Sequence, residues 1–184
     1  MQTTTEPRIH RWTRDEYYRM AEFGLFQNQR VELINGEIVE MSPMGRPHAI
    51  AINLGIVALT KAFGSGYVIS PQLPLAISSY SEPEPDISVQ KGSLRDSPND
   101  HPSSALLVVE ISISTLLFDR GKKASLYASV GIADYWIVNL VDRQLEIYRQ
   151  PEADTTQPFG FRYGTTTILS ATSELSLIHI SEPT

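Results

Sequence analysis

The sequence feature that most constrains the fold is a run of five apolar residues at positions 105–109, followed at once by Glu110. A continuous apolar run of this length is typical of a central strand that is covered on both faces of its sheet. Helical patterns precede and follow it at residues 48–63 and 119–130, and each ends beside a glycine. A sheet whose faces are covered by helices places the chain in the α/β class.

Other patterns predict one more helix and a set of strands. Thr13 and Glu16 form a capping-box pattern, so a helix should begin there and end at Gly24. Asn35-Gly36 suits a type I′ turn, which predicts a hairpin. The hairpin strands are placed at residues 31–34 and 37–41, and further strands at residues 67–70, 73–77, 87–89, 135–140, 144–148 and 161–168. We therefore expect a mixed β-sheet core flanked by α-helices, with residues 48–63 forming a buried helix.

Length and composition narrow the class of protein. A chain of 184 residues suits one domain, which we place at residues 1–170. Residues 176–184 follow no clear element and look like translated adapter DNA, so we treat residues 171–184 as an atypical tail without a function. The chain has no cysteine, which excludes disulfide scaffolds, thiolate zinc sites and a cysteine nucleophile. A net charge of -6 argues mildly against a protein that coats nucleic acids.

The apolar segments also bear on localisation. The longest runs are far too short to span a bilayer. The polar N-terminal residues are not followed by an apolar segment that could serve as a signal-peptide core. We expect a cytoplasmic protein that has no membrane partner.

Two carboxylates stand in positions that favour metal binding. Asp86 follows two prolines, Pro83 and Pro85, which stiffen the chain where it delivers Asp86 to the start of a strand. Glu110 closes the apolar run, and a buried charge is costly unless it is paired or bound to a cation. Two adjacent strands that present these side chains could hold a hard cation such as Mg²⁺. Each carboxylate alone is more often structural, as a turn residue or as the partner of an arginine or lysine.

Three further side chains have both a functional and a structural interpretation. Lys123 shares a helix face with Asp119 and Tyr127, either as part of a surface ion pair or directed at the end of the Glu110 strand. Glu32 should oppose Val39 across the hairpin, either near a site or at a sheet edge. His48 opens a predicted helix, where a histidine is more often a hydrogen-bonded structural residue than a base, although it could approach a phosphate there.

Several ordered stretches together resemble the Uma-type restriction endonucleases of the PD-(D/E)xK nuclease superfamily. The most specific are EPEPDIS at residues 82–88, VVEIS at 108–112 and DRGKK at 119–123. Residues 31–43, 45–48, 126–128 and 131–138 match as well, so the resemblance covers roughly residues 10–170.

The resemblance implies a restriction-endonuclease-like fold and a Mg²⁺-dependent endodeoxyribonuclease, with Mn²⁺ as a substitute ion. It assigns Asp86, Glu110 and the backbone carbonyl of Ile111 as metal ligands. The superfamily usually places a lysine two residues after the glutamate, where this chain has Ser112. In Uma-type proteins the lysine is displaced onto the following helix, and Lys123 matches that position.

The resemblance further identifies Glu32 as the additional upstream acidic residue of the site. DNA is the implied partner, and a homodimer is expected by analogy with other nucleases of this fold. Two alternatives remain at this point. One is a catalytically inactive module on the same fold that binds nucleic acid or protein. The other is a metal-dependent phosphodiesterase that acts on a small molecule.

Overall fold

The computed structural model describes residues 7–96 and 100–170. Its contacts divide the chain into two compact units. The first comprises Met1–Pro43 and Ala76–Pro83, and the second comprises Met44–Leu75 and Glu84–Thr184. The atypical tail assigned to residues 171–184 lies outside the described residues, and the single domain at residues 1–170 stays a prediction.

The first unit contains a helix and a two-stranded hairpin. Helix α1 (Arg14–Glu22) begins with the capping box, in which the Thr13 side chain accepts from the backbone N–H of Glu16. Strands β1 (Arg30–Ile34) and β2 (Glu37–Met41) pair antiparallel. The intervening Asn35 and Gly36 both have positive φ, as a type I′ turn requires. Both sequence predictions for this region are confirmed.

Glu82 ties the segment Ala76–Pro83 to the rest of the first unit. Its backbone N–H donates to the carbonyl of Leu33 at 2.7 Å, and its buried carboxylate accepts from Arg14 and Tyr18. A buried carboxylate is stable only when it is paired in this way. The acidic residue before Pro83 therefore holds the chain in place a few positions before Asp86.

A six-stranded mixed sheet forms the centre of the second unit. Its strands, in spatial order, are β3 (Tyr67–Pro71), β4 (Ile87–Lys91), β5 (Leu107–Ser112), β6 (Asp134–Asn139), β7 (Gln144–Ala153) and β8 (Phe161–Ser170). Only β5 and β6 pair in parallel, and the other neighbouring pairs are antiparallel. Strand β5 is central and every one of its residues is buried, which confirms the central strand predicted from the apolar run.

Helix α2 (Arg46–Phe63) packs on one face of this sheet. It begins at a Gly45 cap with Pro47 in its first turn, and it ends at Gly64. Its buried residues, Ile52 and Leu59, join a core of sheet side chains: Ile87, Val89, Leu107, Val109, Ile111, Trp136 and Ile147. Because side chains alternate along a strand, the neighbours Asp86 and Glu110 face the opposite side of the sheet.

Two further sequence predictions were wrong. Residues 73–77 form no strand, since Pro74 lacks the N–H that a ladder needs and Gln72 already has positive φ. The helix at residues 48–63 exists but is not buried all round. Ile50, Leu54 and Val57 are 47%, 66% and 68% exposed. A sheet covers only one side of a helix, and apolar composition alone does not reveal which sides are covered.

The helical segment after β5 differs in detail from the prediction of one helix at residues 119–130. It starts earlier, as α3 (Leu116–Phe118), passes through a π-helical turn (Asp119–Lys123) and continues as α4 (Ala124–Ser129). Helix α4 packs against β7 and β8. None of the helices in the described part of the chain is long and apolar enough to cross a membrane.

The hairpin turn gives a test of the first unit. A Cβ added at Gly36 would lie 2.6 Å from the Arg11 Cβ, and Gly36 has a φ of +75°. We expect Gly36→Ala to lower the free energy of unfolding by about 2–4 kcal/mol, from left-handed strain plus overpacking. Gly131→Ala is the matched control, because its φ is +74° and nothing described lies within 4 Å of the added Cβ. Equal losses in urea unfolding of the two variants would contradict the close packing of this turn.

Candidate active site

The two predicted carboxylates lie beside neighbouring strands: Asp86 immediately precedes β4, and Glu110 belongs to β5. Ile87 of β4 is paired with Val109 of β5, and one further step of this antiparallel register sets Asp86 opposite Glu110. Side chains at opposed positions point to the same face and have Cβ atoms about 5 Å apart. Both side chains are buried. The structure thus brings together the pair that the sequence singled out.

The carboxylate of Asp86 is held from two sides. Its Oδ2 accepts the backbone N–H of Ile111 at 2.8 Å, a bond that bridges β4 and β5 beside Glu110. Its Oδ1 lies 2.8 Å from Nε2 of His48, and the Gln72 amide donates to it at 3.4 Å. His48, which opens helix α2, therefore belongs to the site. Sequence reasoning left its role open because no local pattern links residue 48 to residue 86.

Glu110 is paired with a buried lysine. The ammonium of Lys123 donates to Glu110 Oε1 at 3.0 Å, and Lys123 is only 1% exposed. The hydroxyl of Tyr127 donates to the same oxygen at 2.8 Å. Of the two interpretations of Lys123, the structure supports the one in which it is directed at the Glu110 strand.

The π-helical turn carries Lys123 to this position. Its first residue, Asp119, is buried one turn before Lys123. Asp119 Oδ2 accepts from the hydroxyl of Thr115 at 2.6 Å, and that hydroxyl lies 3.3 Å from the Ser112 hydroxyl. Ser112, the last residue of β5, is therefore linked by hydrogen bonds to the helical segment that carries Lys123.

Burial raises the pKa of Asp119 above its ordinary value, since a low-polarity environment disfavours the charged form. The Asp86 carboxylate acts in the same direction. The charge of Lys123 and the hydrogen bonds from Thr115 and Ser112 oppose this rise. Three acidic side chains, Asp86, Glu110 and Asp119, thus share a buried region with one lysine.

The remaining predicted residue, Glu32, lies in the first unit. It is buried on β1, opposite Val39 as the turn predicts. The residues that the structure gathers in the second unit are Asp86, Glu110, Ile111 and Lys123. Sequence reasoning missed Tyr127 as a member of the site, although its four-residue spacing from Lys123 was the available signal.

The donor set suits a hard cation. Carboxylate oxygens are the ligands that Mg²⁺ prefers, and Mg²⁺ commonly binds to one or two carboxylates and keeps several waters. Asp86 and Glu110 supply such a pair. Within residues 7–96 and 100–170, no group of three or more His, Asp or Glu side chains is arranged to hold a metal ion. A cation at this site would therefore rely on the pair, on backbone oxygen and on water.

Comparisons with known proteins identify the family and the fold. The model of the Uma2 family, described as "Putative restriction endonuclease", matches residues 14–179. A crystal structure from Anabaena variabilis, described as that of "a putative nuclease", is similar with a TM-score of 0.63 and 15% identity. The match covers 86% of this chain and 84% of that chain, and at this identity it shows a shared fold. No curated protein matches the sequence.

The pairing of Lys123 with Glu110 can be tested through stability. Lys123→Met leaves the buried Glu110 without its ammonium, so the free energy of unfolding should fall by about 3–5 kcal/mol. Adding Glu110→Gln removes the uncompensated charge and should restore part of that loss. Urea unfolding in EDTA measures both changes. Losses that simply add in the double variant would contradict a direct interaction between the two side chains.

The raised pKa of Asp119 predicts a pH dependence. The native state favours the protonated form, so this contribution to stability is complete below the ordinary value of 3.8 and is lost as pH rises through the raised pKa. The side chain introduced by Asp119→Asn does not titrate. Relative to the parent protein, this variant should therefore become more stable as pH rises from about 4, as measured by urea unfolding in EDTA.

Asp154→Asn serves as a control, because its stability relative to the parent protein should change with pH in the opposite direction. Hydrogen bonds from Thr156 lower the pKa of Asp154 below its ordinary value. The contribution of Asp154 to stability is present above pH 3.8 and is lost as pH falls through the lowered pKa. Parallel pH profiles for the two variants would contradict the assignment for Asp119.

Proposed function

This chain belongs to the Uma2 family, described as "Putative restriction endonuclease", and from that premise we propose that it is a metal-dependent endonuclease acting on DNA. It would hydrolyse phosphodiester bonds at the Asp86–Glu110 pair. The observation that carries the proposal is the burial of both carboxylates where β4 and β5 adjoin, with Asp86 hydrogen-bonded to the N–H of Ile111 and Lys123 hydrogen-bonded to Glu110. A module that only binds needs no such group.

The charges of the site favour a bound cation. Asp86, Glu110 and Asp119 are buried around one ammonium, so negative charge exceeds positive charge when all are ionised. Uncompensated buried charge is costly. Asp86, Glu110 and the carbonyl of Ile111 would hold Mg²⁺, or Mn²⁺ in its place, and Glu32 is proposed as an additional acidic residue. The ion would supply a Lewis acid that acidifies water and neutralises charge on the phosphoryl group.

Lys123 acts as an electrostatic stabiliser in this proposal. The ammonium of Lys123 donates a hydrogen bond to the buried carboxylate of Glu110. A charged ammonium cannot accept a proton, so it suits charge stabilisation better than general-base catalysis. From its position beside Glu110, it would stabilise the negative charge that develops on the phosphate in the transition state.

The other contacts hold the carboxylates in fixed orientations. The Ile111 N–H and His48 constrain Asp86, and the Tyr127 hydroxyl constrains Glu110. Ligands whose orientation is set by neighbouring hydrogen bonds lose less freedom when they bind an ion. Tyr127 and His48 are therefore positioning residues for the pair.

Cleavage of supercoiled plasmid tests the proposal. With Mg²⁺ or Mn²⁺ the parent protein should nick or linearise the plasmid, and EDTA should abolish the activity. Lys123→Ala should lower the rate by about 10²- to 10³-fold, the usual cost of losing one preorganised electrostatic group. Asp86→Asn, which removes a proposed ligand, should lower it at least as much.

Lys122→Ala is the matched control, because Lys122 is the neighbouring lysine of the same π-helical turn. It should retain the parent rate, and circular dichroism should show that every variant is folded. Activity that survives both site substitutions would point to a contaminant or to a different site. An inactive parent protein would leave the binding module as the better interpretation.

A further inference from the structure

Arg120 combines an exposed position with a fixed orientation. Its Nε donates to Glu146 Oε2 at 2.9 Å and its Nη2 donates to Glu146 Oε1 at 2.6 Å. The arginine side chain is 37% exposed, whereas that of Glu146 is 1% exposed. A surface arginine usually samples many rotamers, and this one is held by a fork-shaped pair with a buried carboxylate.

Glu146 is itself held by polar neighbours. The Asn139 amide donates to it at 2.9 Å and the Tyr148 hydroxyl at 2.7 Å. The side-chain oxygen Oδ1 of Asn139 accepts hydrogen bonds from the backbone N–H groups of Val141 and Asp142. These bonds connect the network to the β6–β7 turn. A buried ion pair often contributes no more stability than apolar side chains of similar size. The network is better explained by the orientation that it imposes on Arg120.

The arginine is close to the proposed catalytic pair. It belongs to the same π-helical turn as Lys123. Glu146 of β7 pairs with Ile137 of β6, which in turn pairs with Glu110 of β5. Two strand spacings separate the carboxylates of Glu146 and Glu110, or about 10 Å. A few successive nucleotides of one strand cover such a distance, at about 3.4 Å a step.

A small groove lies beside Arg120, with a cavity volume of about 170 Å³. Its polar lining includes Arg162, Gln157 and Thr166. One wall is anchored to α4, because the Ser125 hydroxyl donates to the carbonyl of Phe161 at 2.7 Å and accepts the N–H of Phe159 at 3.1 Å. The groove is thus a formed concavity beside the guanidinium of Arg120, whereas that of Arg162 pairs with Glu152 at 2.7 Å and lies 3.6 Å from Asp154.

We propose that this groove binds a phosphate of the nucleic-acid backbone near the cleaved bond, with Arg120 as its main contact. The inference rests on the proposed function, since it assumes a nucleic-acid substrate at Asp86 and Glu110. A guanidinium has five N–H donors and Glu146 takes two of them, so the same planar group can also bind a phosphate. Such a contact fixes the register of the strand on the protein and reads no sequence.

Salt dependence of DNA binding tests the groove directly. Binding of two duplexes of unrelated sequence is measured by fluorescence anisotropy from about 50 to 200 mM salt, with Ca²⁺ neutralising the carboxylates. Loss of one phosphate contact should reduce the slope of log K against log salt by about 0.9. Arg120→Gln should show this reduction equally on both duplexes, and Arg120→Lys, which keeps the charge, should not.

Arg149→Gln is the matched control. Arg149 is 28% exposed and pairs with the fully buried Asp134, so its loss also removes one charge and leaves a buried carboxylate without its arginine. It lies next to Tyr148 on β7 and therefore points to the other face of the sheet. This variant should keep the slope of the parent protein.

Each contrary result has a distinct meaning. An unchanged slope for Arg120→Gln, or an equal reduction for Arg149→Gln, would contradict the proposal that the groove binds a phosphate. Either result would leave the proposed function standing. A slope that falls equally in Arg120→Lys would also contradict phosphate binding in the groove, because the cause would then be disruption of the Glu146 network. A parent protein that binds neither duplex would overturn the proposed function and the groove together.

Discussion

The candidate site depends on one interaction, the hydrogen-bonded pair that buried Lys123 forms with buried Glu110. Each charge would be costly to bury alone, so the two are stable in the interior only together. The pair joins the central strand to the helical segment that covers this face of the sheet. It also fixes the direction of Glu110, which lies opposite Asp86. The geometry of the carboxylates therefore depends on a contact thirteen residues along the chain.

Much of this site could be predicted from local patterns. Prolines before Asp86 and an apolar run before Glu110 are short-range signals of stiff or buried backbone. The Asn35-Gly36 turn likewise could be predicted from its own two residues, and it formed as expected. Local chemistry is sufficient where the neighbours in sequence are also the neighbours in space. The resemblance to a family then linked these separate signals into one predicted site, which includes Lys123 on the following helical segment.

The features that could not be predicted depend on tertiary partners. His48 reaches Asp86 across 38 residues of sequence, and no pattern around either residue signals that contact. The sequence of helix α2 is apolar on nearly all sides, yet the sheet covers only the side that carries Ile52 and Leu59. The network of Glu146, Asn139 and Arg120 likewise joins three separate elements. Its members look like ordinary surface polar residues in the sequence, because nothing there shows that Glu146 is buried.

The number of residues in the π-helical turn decides whether Lys123 faces Glu110. An α-helix advances about 100° per residue, and a π turn accommodates one additional residue in a single turn. Deletion of one residue between Phe118 and Ala124 would let the segment revert to regular α-helix. A different side chain would then face Glu110, although the composition of the segment would hardly change. Related chains that differ in length at this turn should therefore differ in chemistry even where every other motif is retained.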